Sequence, residues 1–111
     1  MNQQQILLLN KMKKLVKEGK RKFQPRKDRD FLKELYNLSL TIDDAWKEIL
    51  TLNKNLYIID NKPYYNQTSN SLTFKKMIKG KLAYIKLILN KEEVVVCMSF
   101  HEDNTNMERN R

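Results

Sequence analysis

The stretch from Lys79 to Asp103, KGKLAYIKLILNKEEVVVCMSFHED, holds two long apolar runs around a polar turn, and it constrains the fold more than any other segment. Runs of this length, rich in Val, Ile, Leu and Tyr, read as neighbouring strands. Lys79-Gly80 offers a two-residue turn before them and NKEE a polar turn between them, so three antiparallel strands are expected in series: Thr73–Ile78, Lys81–Leu89 and Val94–His101. Pairing Ile78 with Lys81 sets Lys75 opposite Tyr84 and Thr73 opposite Lys86. Pairing Leu89 with Val94 sets Lys86 opposite Cys97, Tyr84 opposite Ser99 and Leu82 opposite His101. Side chains alternate between the faces of a sheet. One face should therefore carry Phe74, Ile78, Ala83, Ile85, Leu87, Val94, Val96, Met98 and Phe100, and it needs a cover. The other should carry Lys75, Tyr84, Lys86, Ser99 and His101, the one histidine of the chain.

The first half of the chain supplies the cover. Leu8, Leu9, Met12, Leu15 and Val16 form a helical stripe within residues 3–18, and Gly19 is a stop signal. KRKFQPRKDRD breaks the pattern at Pro25 and reads as a basic loop anchored by Phe23. Asp28 or Asp30 can cap a second helix with Phe31, Leu32, Leu35 and Tyr36 on its apolar side. In LTIDDAWKEILTL, Thr41 and Asp44 form a capping-box start, with Ile42, Ala45, Trp46, Ile49 and Leu50 as the buried stripe. Trp46 reads as core. A short strand is expected at Leu56–Ile59, followed by a loop rich in Asn, Ser and Tyr up to Ser71. The expected class is α+β, with N-terminal helices packed on one face of a C-terminal antiparallel sheet, in a single domain over residues 1–103 with a polar tail at 104–111.

Charge narrows the partners. The net charge is +9 over 111 residues, and residues 11–29 alone hold ten Lys or Arg against Glu18 and Asp28. Such a patch favours polyanions by counterion release and steering, although a solvated basic face gives the same composition. Lys20, Arg21 and Lys22 are the candidate phosphate contacts at its centre. The single cysteine, Cys97, sits among apolar residues and suits a strand rather than a metal knuckle, so neither disulfide nor metal nor cofactor is expected. The N-terminus lacks a basic leader followed by a long apolar run, and no segment is apolar enough to span a bilayer, so a cytoplasmic protein without membrane contact is expected.

Tyrosine, histidine and two lysines on one open sheet face suit cleavage of an RNA phosphodiester without metal. A base removes the 2′-hydroxyl proton, an acid protonates the leaving 5′-oxygen, and cations hold the charge that develops on phosphorus. A histidine where a strand runs out into solvent is the bland alternative.

The order of motifs MKKLVKEGK, LSLTIDDAWKEILTL, LTFKKMIKGKLAYIKLIL and VVVCMSFHED resembles the MqsR family of toxins, in the RelE-like group of bacterial messenger-RNA-cleaving proteins. The likeness spans residues 11–103. It implies a RelE-like α+β endoribonuclease that acts as the toxin of a toxin–antitoxin pair, with RNA as substrate, a cognate antitoxin as protein partner and the ribosome as a further candidate partner. Tyr84 matches the family's active-site tyrosine, and His101 falls where relatives carry an acid/base histidine or a lysine. Lys86 joins them as the third candidate catalytic residue, with Lys75, Ser99 and Lys62 as RNA contacts. Where the family carries a lysine after its short strand this chain has Ile59, with Lys62 the nearest substitute. Thr73 matches a polar position, and Leu72 replaces the tryptophan before it. The competing expectation is a non-catalytic basic protein of a phage or mobile element that binds nucleic acid or inhibits a nucleic-acid-handling enzyme. Charge reversal at Lys20, Arg21 and Lys22 is expected to lower RNA affinity with little loss of stability.

Overall fold

Local capping fixes where each helix begins. In the computed structural model, which describes residues 1–24, 30–59 and 70–103, the Asn2 side chain accepts the Gln5 backbone N–H at 2.8 Å and the Gln5 side chain accepts that of Asn2 at 2.9 Å. This reciprocal cap opens α1, Gln3–Lys17. The helix ends where Gly19 adopts φ 82°, with the Lys20 N–H donating to the Leu15 carbonyl and that of Gly19 to Val16. Asp30 caps α2, Phe31–Asn37, and Thr41 caps α3, Ile42–Leu50.

Each helix buries one line of residues. On α1 these are Leu9, Met12, Leu15 and Val16, and on α3 they are Ala45, Trp46 and Ile49. On α2 the buried line differs from the expected one. Phe31, Leu35 and Leu38, spaced i, i+4 and i+7, face the core, whereas Leu32 and Tyr36, one position further round, are 55% and 80% exposed. Ile42 is also exposed.

The sheet has five strands in the order β1-β5-β4-β3-β2. They are β1, Arg21–Phe23; β2, Tyr57–Ile58; β3, Ser71–Ile78; β4, Lys81–Leu89; and β5, Val95–Glu102. Neighbours from β2 to β5 run antiparallel, but β1 runs parallel to β5, so the sheet is mixed. Arg21–Phe23 was expected in a loop. It becomes a strand because β5 would otherwise present an open edge: Val95 N–H donates to the Lys20 carbonyl at 2.9 Å and Gln24 N–H to the Cys97 carbonyl at 3.1 Å. Phe23 then buries against Phe31 and Trp46, with ring centroids 5.2 and 4.7 Å away. The remainder of the expected basic loop (25–29, including the alternative cap Asp28), the Asn-rich loop (60–69) and the tail (104–111) lie outside the described residues.

The helices and the inner sheet face share one core, in which Met12, Val16, Leu35, Ile49, Phe74, Ile85 and Leu87 are each 1% exposed or less. Among the described residues no helix is long and apolar enough to cross a membrane.

The α3 cap carries a pH signature. The Thr41 backbone N–H first, and its side chain second, hold the Asp44 carboxyl below its usual range. A depressed folded value stabilises the fold above the unfolded carboxylate pKa of about 4, and that contribution is lost as pH falls through the folded value. The urea midpoint gap between wild type and Asp44→Ala is therefore expected to be widest near neutrality and to narrow below about pH 4. A gap that widens on acidification contradicts this assignment.

Candidate active site

The β3–β4 pairing follows the expected register from Ile78↔Lys81 to Thr73↔Lys86, turning on Lys79 and Gly80 at φ 51° and 84°. Positive φ at both positions is what a hairpin matched to strand twist requires. The β4–β5 pairing departs from expectation twice. The connection is one residue longer: Asn90 N–H donates to the Val94 carbonyl at 3.0 Å and Glu93 takes φ 61°, so Leu89 faces Val95 rather than Val94. A bulge then follows: Leu87 faces Cys97, yet Lys86 faces Ser99, leaving Met98 as the extra residue.

These shifts have opposite effects on the two ends of β5. Before the bulge, Val95 and Cys97 take the core positions that were expected of Val94, Val96 and Met98. After it, Phe100 points to the core as expected, and Ser99 and His101 stay on the opposite face. His101 lies directly across from Tyr84 instead of diagonal to it, and Lys86 lies across from Ser99, not Cys97.

Two transverse rows result on the face away from the helices. One is Lys75–Tyr84–His101 and the other Thr73–Lys86–Ser99, each crossing β3, β4 and β5. The Tyr84 and His101 rings stack with centroids 5.3 Å apart and planes 24° apart. The His101 Nδ1 lies 3.0 Å from the Glu102 carbonyl oxygen. A carbonyl can only accept, so in this hydrogen bond Nδ1–H is the donor. Lys75 Nζ pairs with Asp103 Oδ2 at 2.7 Å, and that carboxylate is nearly buried. Asp103 was not singled out from the sequence; the signal was its place two residues beyond His101, on the same face. Thr73, Lys86 and Ser99 are all buried, at 3%, 6% and 9% exposure.

The expected phosphate contacts Lys20, Arg21 and Lys22 do not share one face of the molecule. Lys20 lies 3.8 Å from Glu18. Because strand β1 alternates, Lys22 stands beside Val96 on the face of the two rows, whereas Arg21 turns to the helices. There its guanidinium lies 5.4 Å from the Trp46 ring and donates to the Val16 carbonyl at 3.3 Å. Ile59, just past β2, is 75% exposed, and Lys62 lies outside the described residues. Cys97 is fully buried; burial pushes its thiol far up, and it donates to the Ser99 carbonyl at 3.4 Å, which makes it a core residue. Among the described residues no three His, Cys, Asp or Glu side chains are grouped to hold a metal.

No protein-family model matches the chain, and no curated protein matches it.

The split of Arg21 from Lys22 gives the two cations different expected contributions to stability. Lys22→Glu is expected to leave the urea midpoint unchanged. Arg21→Glu removes a cation–π contact and a hydrogen bond and should cost about 1–2 kcal/mol, with a shift in Trp46 fluorescence. Equal midpoints for the two variants contradict the structural role of Arg21.

Proposed function

We propose that this chain is a toxin-type endoribonuclease that cleaves single-stranded messenger RNA by metal-independent attack of a 2′-hydroxyl on the adjacent phosphate. The observation that carries the reading is the Tyr84–His101 pair, directly opposed across two strands and stacked, in line with Lys75 and beside the row that holds Lys86. In this reading His101 Nε2 takes the 2′-hydroxyl proton, or in its protonated form delivers one to the leaving oxygen. The O2′–P bond forms, the P–O5′ bond breaks, and the products are a 2′,3′-cyclic phosphate and a 5′-hydroxyl end. Lys86 and the Tyr84 hydroxyl offset charge on the phosphoryl oxygens in the transition state. Ser99 and Lys75 orient the strand, with Asp103 holding the Lys75 side chain. A RelE-like fold, an antitoxin partner, action at the ribosome and a cytoplasmic setting belong to the same proposal.

One observation favours the second reading, a non-catalytic basic protein of a phage or mobile element that occupies nucleic acid or blocks an enzyme acting on it. Ile59 is exposed where the resemblance calls for a lysine, so a cation of the family's set is missing at that point.

The two readings part in a time course on a defined single-stranded RNA. His101→Gln is expected to lower the cleavage rate by about 10² or more with folding intact by circular dichroism, Tyr84→Phe is expected to lower it as well, and a chelator is expected to leave it unchanged. Equal rates for wild type and His101→Gln rule out acid–base work by His101. A wild-type protein that leaves both free and ribosome-bound RNA intact assigns the chain to the second reading.

A further inference from the structure

On the helix side of the molecule, away from the two rows, α1, β1 and α3 enclose a depression of about 420 Å³ lined by Lys17, Arg21, Asp43, Trp46, Lys47 and Leu50. Three cations face one carboxylate there. Arg21 is already oriented by Trp46 and the Val16 carbonyl, so part of the entropy of holding a guanidinium is spent before any ligand arrives. The wall beyond is of mixed charge: it carries Lys13, and Lys76 there pairs with Glu48 at 2.7 Å. Lys13, on the same helix as Lys17, is held below its usual range by desolvation first and then by Lys17 and Lys76. Within the depression itself Lys17, Arg21 and Lys47 outnumber Asp43, and a polyanion relieves that excess.

Two further features bear on what fits. Trp46 is only 3% exposed and lies beneath Arg21, so it offers no ring on which a base could stack, and the depression can read charge but not sequence. The edge strand joins this depression to the opposite face. Arg21 projects into it, and the next residue, Lys22, projects beside Val96 on the face of Tyr84 and His101. Val96 and Ser99 are three residues apart on β5, about 10 Å along the strand.

We propose that the α1–α3 depression binds the phosphate backbone of an RNA strand, and that the strand wraps the β1 edge past Lys22 to reach the Tyr84–His101 face. The choice of RNA as occupant rests on the ribonuclease reading. Lys17, Arg21 and Lys47 are backbone contacts that add affinity without base preference, and Lys22 is the bridge between the depression and the cleavage face.

The test measures binding, so that it stands apart from cleavage. The probe is a single-stranded 2′-O-methyl RNA of about twenty nucleotides, which cannot undergo 2′-hydroxyl attack, titrated at several salt concentrations with full-length protein. Lys17→Gln/Lys47→Gln is compared with Lys33→Gln/Lys54→Gln, which changes net charge equally on exposed residues outside the depression. The first pair is expected to lose at least tenfold in affinity, and its log–log salt slope should shrink by about 1.4, or 0.7 for each lost contact on a single strand. Lys22→Gln should shrink it by a further 0.7, and the Lys33/Lys54 pair should match wild type. Lys17→Arg/Lys47→Arg keeps the charge and should retain affinity. If the Gln pair fails to fold by circular dichroism, Lys17→Gln alone decides by a slope change of about 0.7. Equal losses in both Gln pairs, or an unchanged slope in the first, overturn the proposal. So does RNA affinity that survives while binding of polyglutamate is lost, since that outcome makes the depression a seat for an acidic protein. A wild type that binds through this depression but does not cleave RNA refutes the nuclease reading alone.

Discussion

Everything in this molecule follows from the need to keep one face of a three-stranded meander dry. Phe74, Ile85, Leu87 and Phe100 point the same way because strands alternate, and each is 3% exposed or less. At roughly 25 cal/mol per Å² of apolar surface, leaving that face wet would cost more than the whole fold is worth. The helices exist to cover it, and their capping residues set where each begins. The parallel edge strand completes the cover by bringing Phe23 to Trp46. What the cover leaves behind is the second face, and parity alone puts Lys75, Tyr84, Lys86, Ser99 and His101 there together.

That second face is polar even where it is buried. Thr73, Lys86 and Ser99 are buried in a row where apolar side chains would cost less to desolvate. The salt bridge from Lys75 to Asp103 fixes a flexible ammonium beside the Tyr84–His101 pair.

The β3–β4 hairpin was legible because Lys79-Gly80 leaves one sensible turn, and the helix stripes on α1 and α3 were legible because their apolar residues recur at helical spacing. On α2 the expected stripe was right at Phe31 and Leu35 and wrong at Leu32 and Tyr36, with Leu38 missed, since seven residues hold too few repeats to fix the line. Strand β1 was missed for a related reason: three residues with one apolar side chain make no period, and its pairing is parallel and non-local. On β5 there were two errors of one residue each: the longer turn moved the core positions from Val94 and Val96 to Val95 and Cys97, and the bulge at Met98 restored the expected parity from Ser99 onward. They then added to two, an even number, so His101 kept its face and only its partner changed. Neither error leaves a mark in the pattern, because VVVCM is apolar throughout and fits either parity.

The extra residue at Met98 also bears on ancestry. Bulges are carried or lost as single-residue insertions, and a relative with a regular fifth strand would have the same two transverse rows with one residue fewer between the valine run and the histidine. An alignment that allows no gap at Met98 would set this chain's Phe100 against that relative's histidine, a core side chain against a surface one. Homologues of this chain are therefore better sought with the segments before and after Met98 matched separately, and a conserved histidine judged by its distance from the strand's end.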